Sequence, residues 1–174
     1  MKKVLVVVDM QKDFVDGVLG TEEAVKIVDK AAEKIAAFEG EVVFTRDTHD
    51  DDYLNTQEGR YLPVPHCKKG SNGWQLEEKV AAVKPEHAKV FDKSTFGSVE
   101  LARYLSKTNE KVGIEQITFI GLCTDICVIS NAMLAKAYMP EVTVAVDAQC
   151  CAGVTPESHN NALEAMKMCQ IIIV

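Results

Sequence analysis

Six short apolar runs, each of strand length, recur along this chain of 174 residues and are separated by helical patterns. Strands that alternate with helices favour a parallel sheet covered by helices on both faces. The pattern therefore predicts one three-layer α/β/α domain, over residues 1–174, with a six-stranded parallel sheet at its centre. The predicted strands are Val4–Val8, Glu41–Phe44, Lys89–Phe91, Gln116–Leu122, Val142–Val146 and Ile171–Val174.

Capping residues and apolar stripes indicate where the helices lie. Thr21 is a predicted N-cap for a helix from Glu22 to about Phe38, which carries one apolar stripe. Thr155-Pro156-Glu157 places an N-cap, a proline and an acidic residue at the start of a last helix, which ends at Met168. The other predicted helices are Trp74–Val83, Val99–Leu105 and Asp125–Tyr138, and a loop is predicted from Asp9 to Gly20.

Charge and composition exclude several classes of protein. The formal net charge is −7 and no Lys/Arg-rich run occurs, which argues against nucleic-acid binding. The longest apolar runs have strand length and are bounded by charge, so no membrane segment is predicted. Asp9 ends the N-terminal apolar run too early for a signal peptide. The six cysteines lack disulfide-scaffold spacing and are expected to be reduced thiols in a cytoplasmic protein.

Four of the apolar runs lead directly into reactive polar residues. Ligands of open parallel α/β sheets bind in the crevice outside the carboxyl ends of the strands, so these residues are expected to meet there. Their convergence indicates chemistry rather than packing. The residues, in chain order, are Asp9, then Asp47 and His49, then Asp92 and Lys93, then Cys123, Asp125 and Cys127.

The segment Gly121–Val128 is a predicted turn from a strand into a helix. The N-terminal end of a helix dipole lowers the pKa of a thiol in the first turn. A thiolate beside free backbone N–H groups would supply a nucleophile and an oxyanion hole. Alternatively, Cys123 and Cys127 are both core residues, which is the common location of free cysteines.

Asp9 and Lys93 favour the catalytic interpretation. A nucleophilic cysteine needs a base that takes its proton and passes it to a leaving group. A carboxylate beside a lysine could do this while the ammonium balances its charge. For either residue alone, a strand-closing turn residue or a solvated lysine is the simpler interpretation, but both follow predicted strands that end at the same edge.

Asp47-Thr48-His49 suggests a metal site. Residues two apart in extended backbone point to the same side, so Asp47 and His49 could bind one ion. His66, in the same long polar segment 47–73, is the natural third ligand, and Glu58 could be a fourth or outer-shell ligand. Such a set suits zinc, or manganese or iron. The alternative is an acidic loop with incidental histidines.

The remaining histidines, cysteines and the tryptophan receive structural interpretations. His87 and His159 are expected at the surface or at helix caps. Trp74 is expected to be a packing residue. Cys150, Cys151 and Cys169 are expected to be structural.

Taken together, these segments resemble the isochorismatase-like cysteine hydrolases, and within them the nicotinamidase/pyrazinamidase group. The match covers nearly the whole chain in the family's order and implies the family's Rossmann-like fold. The matching segments are Val8–Phe14, Thr45–His49, Pro65–Cys67 with Gly70 downstream, Lys93–Gly97 and Gly121–Val128.

The resemblance assigns roles that the spacing leaves open. It implies a triad of Asp9, Lys93 and Cys127, with Cys127 as the nucleophile. It also implies an oxyanion hole made of the backbone N–H groups of Cys123 and Cys127, and a non-proline cis peptide between Leu122 and Cys123. Isochorismatases proper lack the cysteine, so Cys127 argues for an amidase.

The resemblance also implies how a substrate ring is held. Asp47, His49 and His66 match ligands of a metal that holds the ring nitrogen, and Glu58 has a counterpart in some members. An aromatic residue that stacks on the ring often lies where this chain has Pro63. Phe14 is therefore the expected ring contact, with Tyr61 or Leu62 nearby.

The resulting prediction is hydrolysis of a small carboxamide through a cysteine thioester, with nicotinamide converted to nicotinate and ammonia in pyridine nucleotide biosynthesis. A divalent metal is expected, zinc first and manganese or iron as alternatives. The expected partners are the carboxamide and further copies of the chain in a homo-oligomer. The alternatives are a cysteine amidase or carbamoyl-amide hydrolase with a non-pyridine substrate, and a non-catalytic α/β protein that binds a ligand.

Overall fold

Six parallel strands form the centre of the computed structural model, which describes all 174 residues. Their order across the sheet is β3-β2-β1-β4-β5-β6, and helices cover both faces. The predicted fold class is therefore confirmed. The strands are β1 Lys2–Val8, β2 Glu41–Asp47, β3 Val90–Lys93, β4 Ile114–Leu122, β5 Thr143–Ala152 and β6 Ile172–Ile173.

Seven α-helices accompany the strands, together with two short turns of other helical types. Thr21 caps the second helix as predicted, because its hydroxyl accepts a hydrogen bond from the Ala24 N–H at 3.0 Å. The turns are a 3₁₀ turn at Tyr53–Asn55 and a π-helical turn at Thr124–Val128. The helices are α1 Lys12–Val15, α2 Glu22–Ala37, α3 Gln57–Tyr61, α4 Glu78–Val83, α5 Val99–Val112, α6 Ile129–Tyr138 and α7 Pro156–Met168.

The central strand β1 contributes to both cores of the molecule. Successive side chains of a strand point to opposite faces of its sheet. Val4, Val6 and Val8 pack with residues of α5, α6 and α7. Leu5 and Val7 pack on the other face with residues of α2 and α4. Because β1 is buried on both faces, its sequence is a continuous apolar run rather than an alternating one.

The strand order reverses between β1 and β4, and this point lies next to the ends of both strands. In the pairing of β1 with β4, Gly121 lies opposite Val8 and adopts φ 116°. A Cβ at Gly121 would lie 2.1 Å from the Val8 carbonyl oxygen, so only glycine fits. The close pairing brings Asp9, which follows β1, beside the turn that follows β4.

Two predicted bounds change at the residues that carry chemistry. β2 and β3 are longer than predicted at their carboxyl ends, so Asp47 and Lys93 are the last residues of strands rather than loop residues. β5 also continues to Ala152 and contains Cys150 and Cys151. The extension of strand geometry fixes the direction of the Asp47 and Lys93 side chains.

Other bounds differ because local contacts compete with helix formation. The helix predicted at Trp74–Val83 begins only at Glu78, after Glu77 caps it by accepting from the Lys79 and Val80 N–H groups. The predicted loop after Asp9 contains α1, and the polar segment 47–73 contains α3. Both helices are only four or five residues long, too short to show an apolar periodicity in the sequence.

No helix of the structure combines the length and apolar composition that crossing a bilayer requires. The cytoplasmic location, the homo-oligomer and the division into a single domain stay predictions.

Candidate active site

Asp9, Lys93 and Cys127 meet in the crevice between the carboxyl ends of the strands. Lys93 Nζ lies 2.6 Å from Asp9 Oδ2 and 3.4 Å from Cys127 Sγ. All three residues are buried. The structure thus brings together the three residues that the resemblance assigns to a catalytic triad.

Asp9 is held in an unusual backbone conformation at the end of β1. Its φ is 46°, in the left-handed region that non-glycine residues rarely adopt. Its carboxylate Oδ1 accepts a hydrogen bond from the Thr45 hydroxyl at 2.6 Å. Burial raises the pKa of Asp9 despite the nearby Lys93 ammonium. Oδ2 is buried against the Lys93 ammonium at 2.6 Å and has no second partner, so it keeps the capacity to accept a proton.

Lys93 forms the electrostatic centre of the site. Burial favours the neutral amine, but Asp9, Cys127 and Asp47 together outweigh it and raise the pKa of Lys93. Lys93 Nζ also lies 3.4 Å from Asp47 Oδ1. The lysine therefore stays an ammonium ion that links the cysteine, its neighbouring carboxylate and the predicted metal site.

Cys127 lies in the π-helical turn after β4, where the Val128 N–H reaches the Cys123 carbonyl at 3.0 Å. Such turns occur frequently at functional sites. Burial, followed by the charge of Asp9, raises the pKa of the Cys127 thiol well above its ordinary value. The expectation of a lowered thiol pKa is therefore wrong for the protein without substrate. The thiol holds its proton until a base takes it.

The peptide bond between Leu122 and Cys123 is cis, as the resemblance predicts. The Cys123 N–H donates to no backbone carbonyl, so it is free for a ligand. The Cys123 thiol is half-buried and lines the cavity, and burial raises its pKa to about 12. The oxyanion hole of Cys123 and Cys127 stays a prediction.

The four predicted metal ligands form one cluster. Their ligand atoms all lie within 4.8 Å of one another. Asp47 Oδ2 lies 2.9 Å from His49 Nε2 and 3.4 Å from His66 Nε2. Glu58 Oε1 lies 3.7 Å from each of the two histidine nitrogens. Ligand atoms of one tetrahedral ion lie about 3.4 Å apart, because zinc bonds to nitrogen and oxygen are about 2.0–2.2 Å long.

Charge and hydrogen bonding support a cation in this cluster. Burial would raise the pKa of Asp47, but hydrogen bonds with His49 and His66 and the charge of Lys93 lower it. Burial and the Asp47 charge raise the pKa of Glu58. His66 donates from Nδ1 to the Val64 carbonyl at 2.8 Å, which leaves Nε2 facing the cluster. Two carboxylates and two imidazoles at this spacing fit a divalent metal ion.

A cavity of about 630 Å³ connects the cysteine with this cluster. Phe14 lines it, and the Phe14 ring lies 5.4 Å from the His66 ring. Tyr61 and Leu62 also line it, whereas Pro63 does not. The lining residues are Phe14, Leu19, Thr21, Asp47, Gln57, Glu58, Tyr61, Leu62, His66, Ser94, Thr95, Phe96, Cys123, Ile126, Cys127 and Val154.

Sequence reasoning missed the residues that hold the site in place. Gln11 is buried and binds both backbone groups of Asp47: it accepts from the N–H at 2.7 Å and donates to the carbonyl at 2.8 Å. Asp13 accepts from the Cys67 N–H at 2.7 Å, next to His66. Both residues lie in the segment Val8–Phe14, and the resemblance of that segment to the family was the signal that could have identified them.

The remaining predicted residues are placed as follows. His87 is exposed, and His159 is half-buried in the first turn of α7, where its Nδ1 lies 2.8 Å from the Thr124 hydroxyl oxygen. Trp74 packs under the Arg46 guanidinium, 3.6 Å from the ring centroid, and is a packing residue as predicted. The cysteines outside the turn are free: Cys67, Cys150 and Cys151 are buried and Cys169 is half-buried.

The parallel α/β sheet, with a buried aspartate, lysine and cysteine at its strand ends, places this protein in a class of cysteine hydrolases. The model of one family, described as the isochorismatase domain, matches residues 3–174. The chain therefore belongs to the isochorismatase family.

Three solved structures show what this chain is similar to. A pyrazinamidase of Pyrococcus horikoshii in complex with zinc is 28% identical, with a TM-score of 0.83 over 100% of this chain and 99% of that chain. A nicotinamidase/pyrazinamidase of Bacillus subtilis is 26% identical, with a TM-score of 0.85 over 100% of both chains. An N-carbamoylsarcosine amidase of Thermoplasma acidophilum is 27% identical, with a TM-score of 0.76 over 99% of this chain and 95% of that chain.

Proposed function

We propose that this protein hydrolyses nicotinamide to nicotinate and ammonia through a thioester on Cys127. The observation that carries the proposal is one cavity lined both by Cys127, whose thiol lies beside the Lys93–Asp9 ion pair, and by Asp47, Glu58 and His66 of the predicted metal-ligand cluster. The first supports acyl transfer, and the second would orient a ring with a nitrogen atom. The nicotinamidases and pyrazinamidases among the similar structures support the same reaction.

The first half of the reaction breaks the amide bond. Asp9 takes the proton of the Cys127 thiol, and Sγ attacks the amide carbon, so that the carbonyl electrons move to oxygen. The backbone N–H groups of Cys123 and Cys127 would stabilise this oxyanion. When the tetrahedral intermediate collapses, Asp9 returns the proton to the leaving nitrogen, and ammonia departs.

The second half releases the acid. Asp9 removes a proton from a water molecule that attacks the thioester carbon. Sγ then leaves as a thiolate, receives the proton and restores the thiol. The raised pKa of Asp9 suits this exchange, because a more basic carboxylate competes better for the thiol proton. Lys93 keeps its charge throughout and stabilises whichever of the two partners is anionic.

The fitting metal is a divalent ion, and we propose zinc, with manganese or iron as alternatives. Asp47, His49 and His66 would hold it, with Glu58 as a fourth or outer-shell ligand. When bound, it would coordinate the ring nitrogen and orient the substrate. The Phe14 ring, next to His66, would contact the substrate ring in the absence of an aromatic residue at Pro63.

An ammonia-release panel tests the proposal. Metal-loaded protein should hydrolyse nicotinamide and pyrazinamide, whereas benzamide, which lacks the ring nitrogen, should be a poor substrate. Elemental analysis of the purified protein should find about one metal ion per chain. If metal-stripped protein hydrolyses nicotinamide and benzamide equally well, only the cysteine-amidase part of the proposal stands.

The second candidate function is hydrolysis of a non-pyridine carbamoyl-amide. It is favoured by the similarity to an N-carbamoylsarcosine amidase at 27% identity. This candidate needs no metal that binds a ring, so turnover of N-carbamoyl amino acids by metal-free protein would favour it. A ligand-binding protein without catalysis would release no ammonia from any member of the panel.

A further inference from the structure

The cavity is larger than the proposed reaction requires. Its volume of about 630 Å³ lies within the range of roughly 300–1,000 Å³ that holds drug-sized ligands. Nicotinamide is a single six-membered ring with one amide group. With its amide at Cys127 and its ring at the metal-ligand cluster, it would fill only the inner part of this space.

The outer part of the cavity, where its lining residues are exposed, is mainly apolar, and its polar members Gln57, Ser94 and Thr95 carry no charge. Four large side chains border it and are exposed: Tyr61 is 84% exposed, Leu62 37%, Phe96 48% and Val154 50%. We refer to these four residues as the apolar rim. They come from three separate segments, at the end of α3, after β3 and after β5. Apolar side chains that are exposed together around a cavity mark a ligand-binding surface.

The inner part of the cavity has the opposite character. Cys127, Asp47 and His66 are buried, and Glu58 is half-buried. These groups recognise an amide and a polar ring atom, whereas the rim offers hydrophobic contact and no charge. A molecule that complements both parts has a carboxamide at one end and an apolar group at the other.

We propose that the apolar rim is a subsite for an apolar substituent on the substrate ring, and that the protein hydrolyses ring-substituted nicotinamides at least as efficiently as nicotinamide. This inference rests on the proposed function, because that function fixes the orientation of the ring. The amide and the ring nitrogen both face the inner groups, so the ring carbon between them does too. The 5-position, on the opposite side of the ring, then faces the rim.

The energetic reason is the removal of apolar surface from water. In a complex with nicotinamide the rim stays hydrated. A phenyl group at the 5-position would cover the rim and displace poorly held water, which favours binding in proportion to the apolar area buried. The bonds that form and break are those of nicotinamide hydrolysis, so no additional catalytic group is needed.

The test compares 5-phenylnicotinamide with nicotinamide in ammonia-release assays on the unmodified, metal-loaded protein. We expect kcat/KM for the phenyl compound to equal or exceed that for nicotinamide. Phe96→Ala should lower the ratio of the two values about tenfold, the scale of one lost hydrophobic contact in a specificity pocket. Met168→Ala is the matched control: Met168 is 86% exposed at the end of α7 and is not part of the cavity, so the ratio should not change.

A binding measurement separates the subsite from turnover. The Cys127→Ala protein should bind 5-phenylnicotinamide more tightly than nicotinamide in calorimetric titrations, and Phe96→Ala in that background should remove the difference. If nicotinamide is hydrolysed but the phenyl compound is neither hydrolysed nor bound, the inference is overturned, as it would be if a second copy of the chain covered the rim. If neither amide is hydrolysed, the proposed function itself fails and the inference fails with it.

Discussion

At the scale of single residues, the two cysteines of the turn after β4 differ in the group that each would contribute. Cys127 contributes its thiol, which lies 3.4 Å from Lys93 Nζ, whereas Cys123 contributes a backbone N–H that survives substitution. Cys127→Ala should therefore abolish ammonia release, and Cys123→Ala should only weaken it. Initial rates at saturating nicotinamide measure both effects. The reverse ranking would contradict the assignment of the nucleophile.

The pKa of Asp9 leads to a prediction about pH. Asp9 accepts a proton only when it is ionised, and burial raises its pKa. Activity should therefore fall on acidification through this raised pKa, at a higher pH than an ordinary aspartate would give. A profile of kcat/KM against pH measures the acid limb. Asp9→Asn should remove the activity, while Asp16→Asn, at an exposed aspartate, should leave the profile unchanged. An acid limb within the ordinary aspartate range would contradict this role.

Sequence reasoning named the three residues that the structure brings together at the strand ends, but it did not predict their ionisation. Asp9, Lys93 and Cys127 follow or end strands, and the resemblance supplied their roles. The predicted direction of the Cys127 pKa shift was wrong. The prediction considered the dipole at the start of the helix but not the burial of the thiol, which raises its pKa. Cys127 is only 5% exposed, and its distance from charged neighbours depends on the pairing of strands far apart in the chain.

At the scale of secondary-structure elements, the segment from Gln11 to Asp13 contacts both chain segments that carry the proposed metal ligands: Gln11 binds the backbone of Asp47, and Asp13 accepts from the Cys67 N–H, next to His66. Gln11→Ala would leave the Asp47 N–H and carbonyl without their buried partners. We expect the free energy of unfolding to fall by about 1–3 kcal/mol. Metal affinity should fall about 10–100-fold, which is typical when a supporting contact is lost. Urea unfolding and zinc titration measure the two effects.

Gln75→Ala is the control for this experiment, because Gln75 is an exposed residue of the same type. Gln75→Ala should change neither the free energy of unfolding nor the metal affinity appreciably. If Gln11→Ala destabilised the fold but left metal affinity intact, Gln11 would contribute to stability only.

The strands and helices were predictable wherever the spacing of apolar residues follows a strand or helix pattern. All six strands and the long helices were expected, because each has a continuous apolar run or a stripe. The predicted start of α4 at Trp74 was wrong, because Trp74 stacks under Arg46 and donates to the Thr48 hydroxyl at 2.9 Å, and the helix begins at Glu78. These contacts join segments far apart in sequence, and no local pattern shows them.

At the scale of the whole molecule, the proposed metal ligands come from different segments of the chain. Asp47 ends β2, Glu58 lies in α3, and His66 follows in a loop. An ion that binds only the folded chain stabilises it by about 2.7 kcal/mol at one hundred times its dissociation constant. Zinc should therefore raise the melting temperature of stripped protein in calorimetry. His49→Ala should remove the increase, and His87→Ala, at an exposed histidine, should retain it.

The same experiment has a kinetic counterpart. Chelation or His49→Ala should raise KM for nicotinamide, because the ring loses an orienting contact. It should also lower kcat, since a displacement of about 1 Å can cost on the order of a hundredfold. A melting temperature and KM that do not respond to zinc would contradict the metal site.

The central claim is an acyl-enzyme on Cys127, and acid-quenched mass spectrometry tests it most directly. Protein mixed with nicotinamide and quenched during turnover should carry a nicotinoyl group on the peptide that contains Cys127, accompanied by release of ammonia. The group should disappear as substrate is exhausted and be absent from Cys127→Ala. Turnover with no acyl group on any cysteine, or with the group on Cys123, would contradict the account.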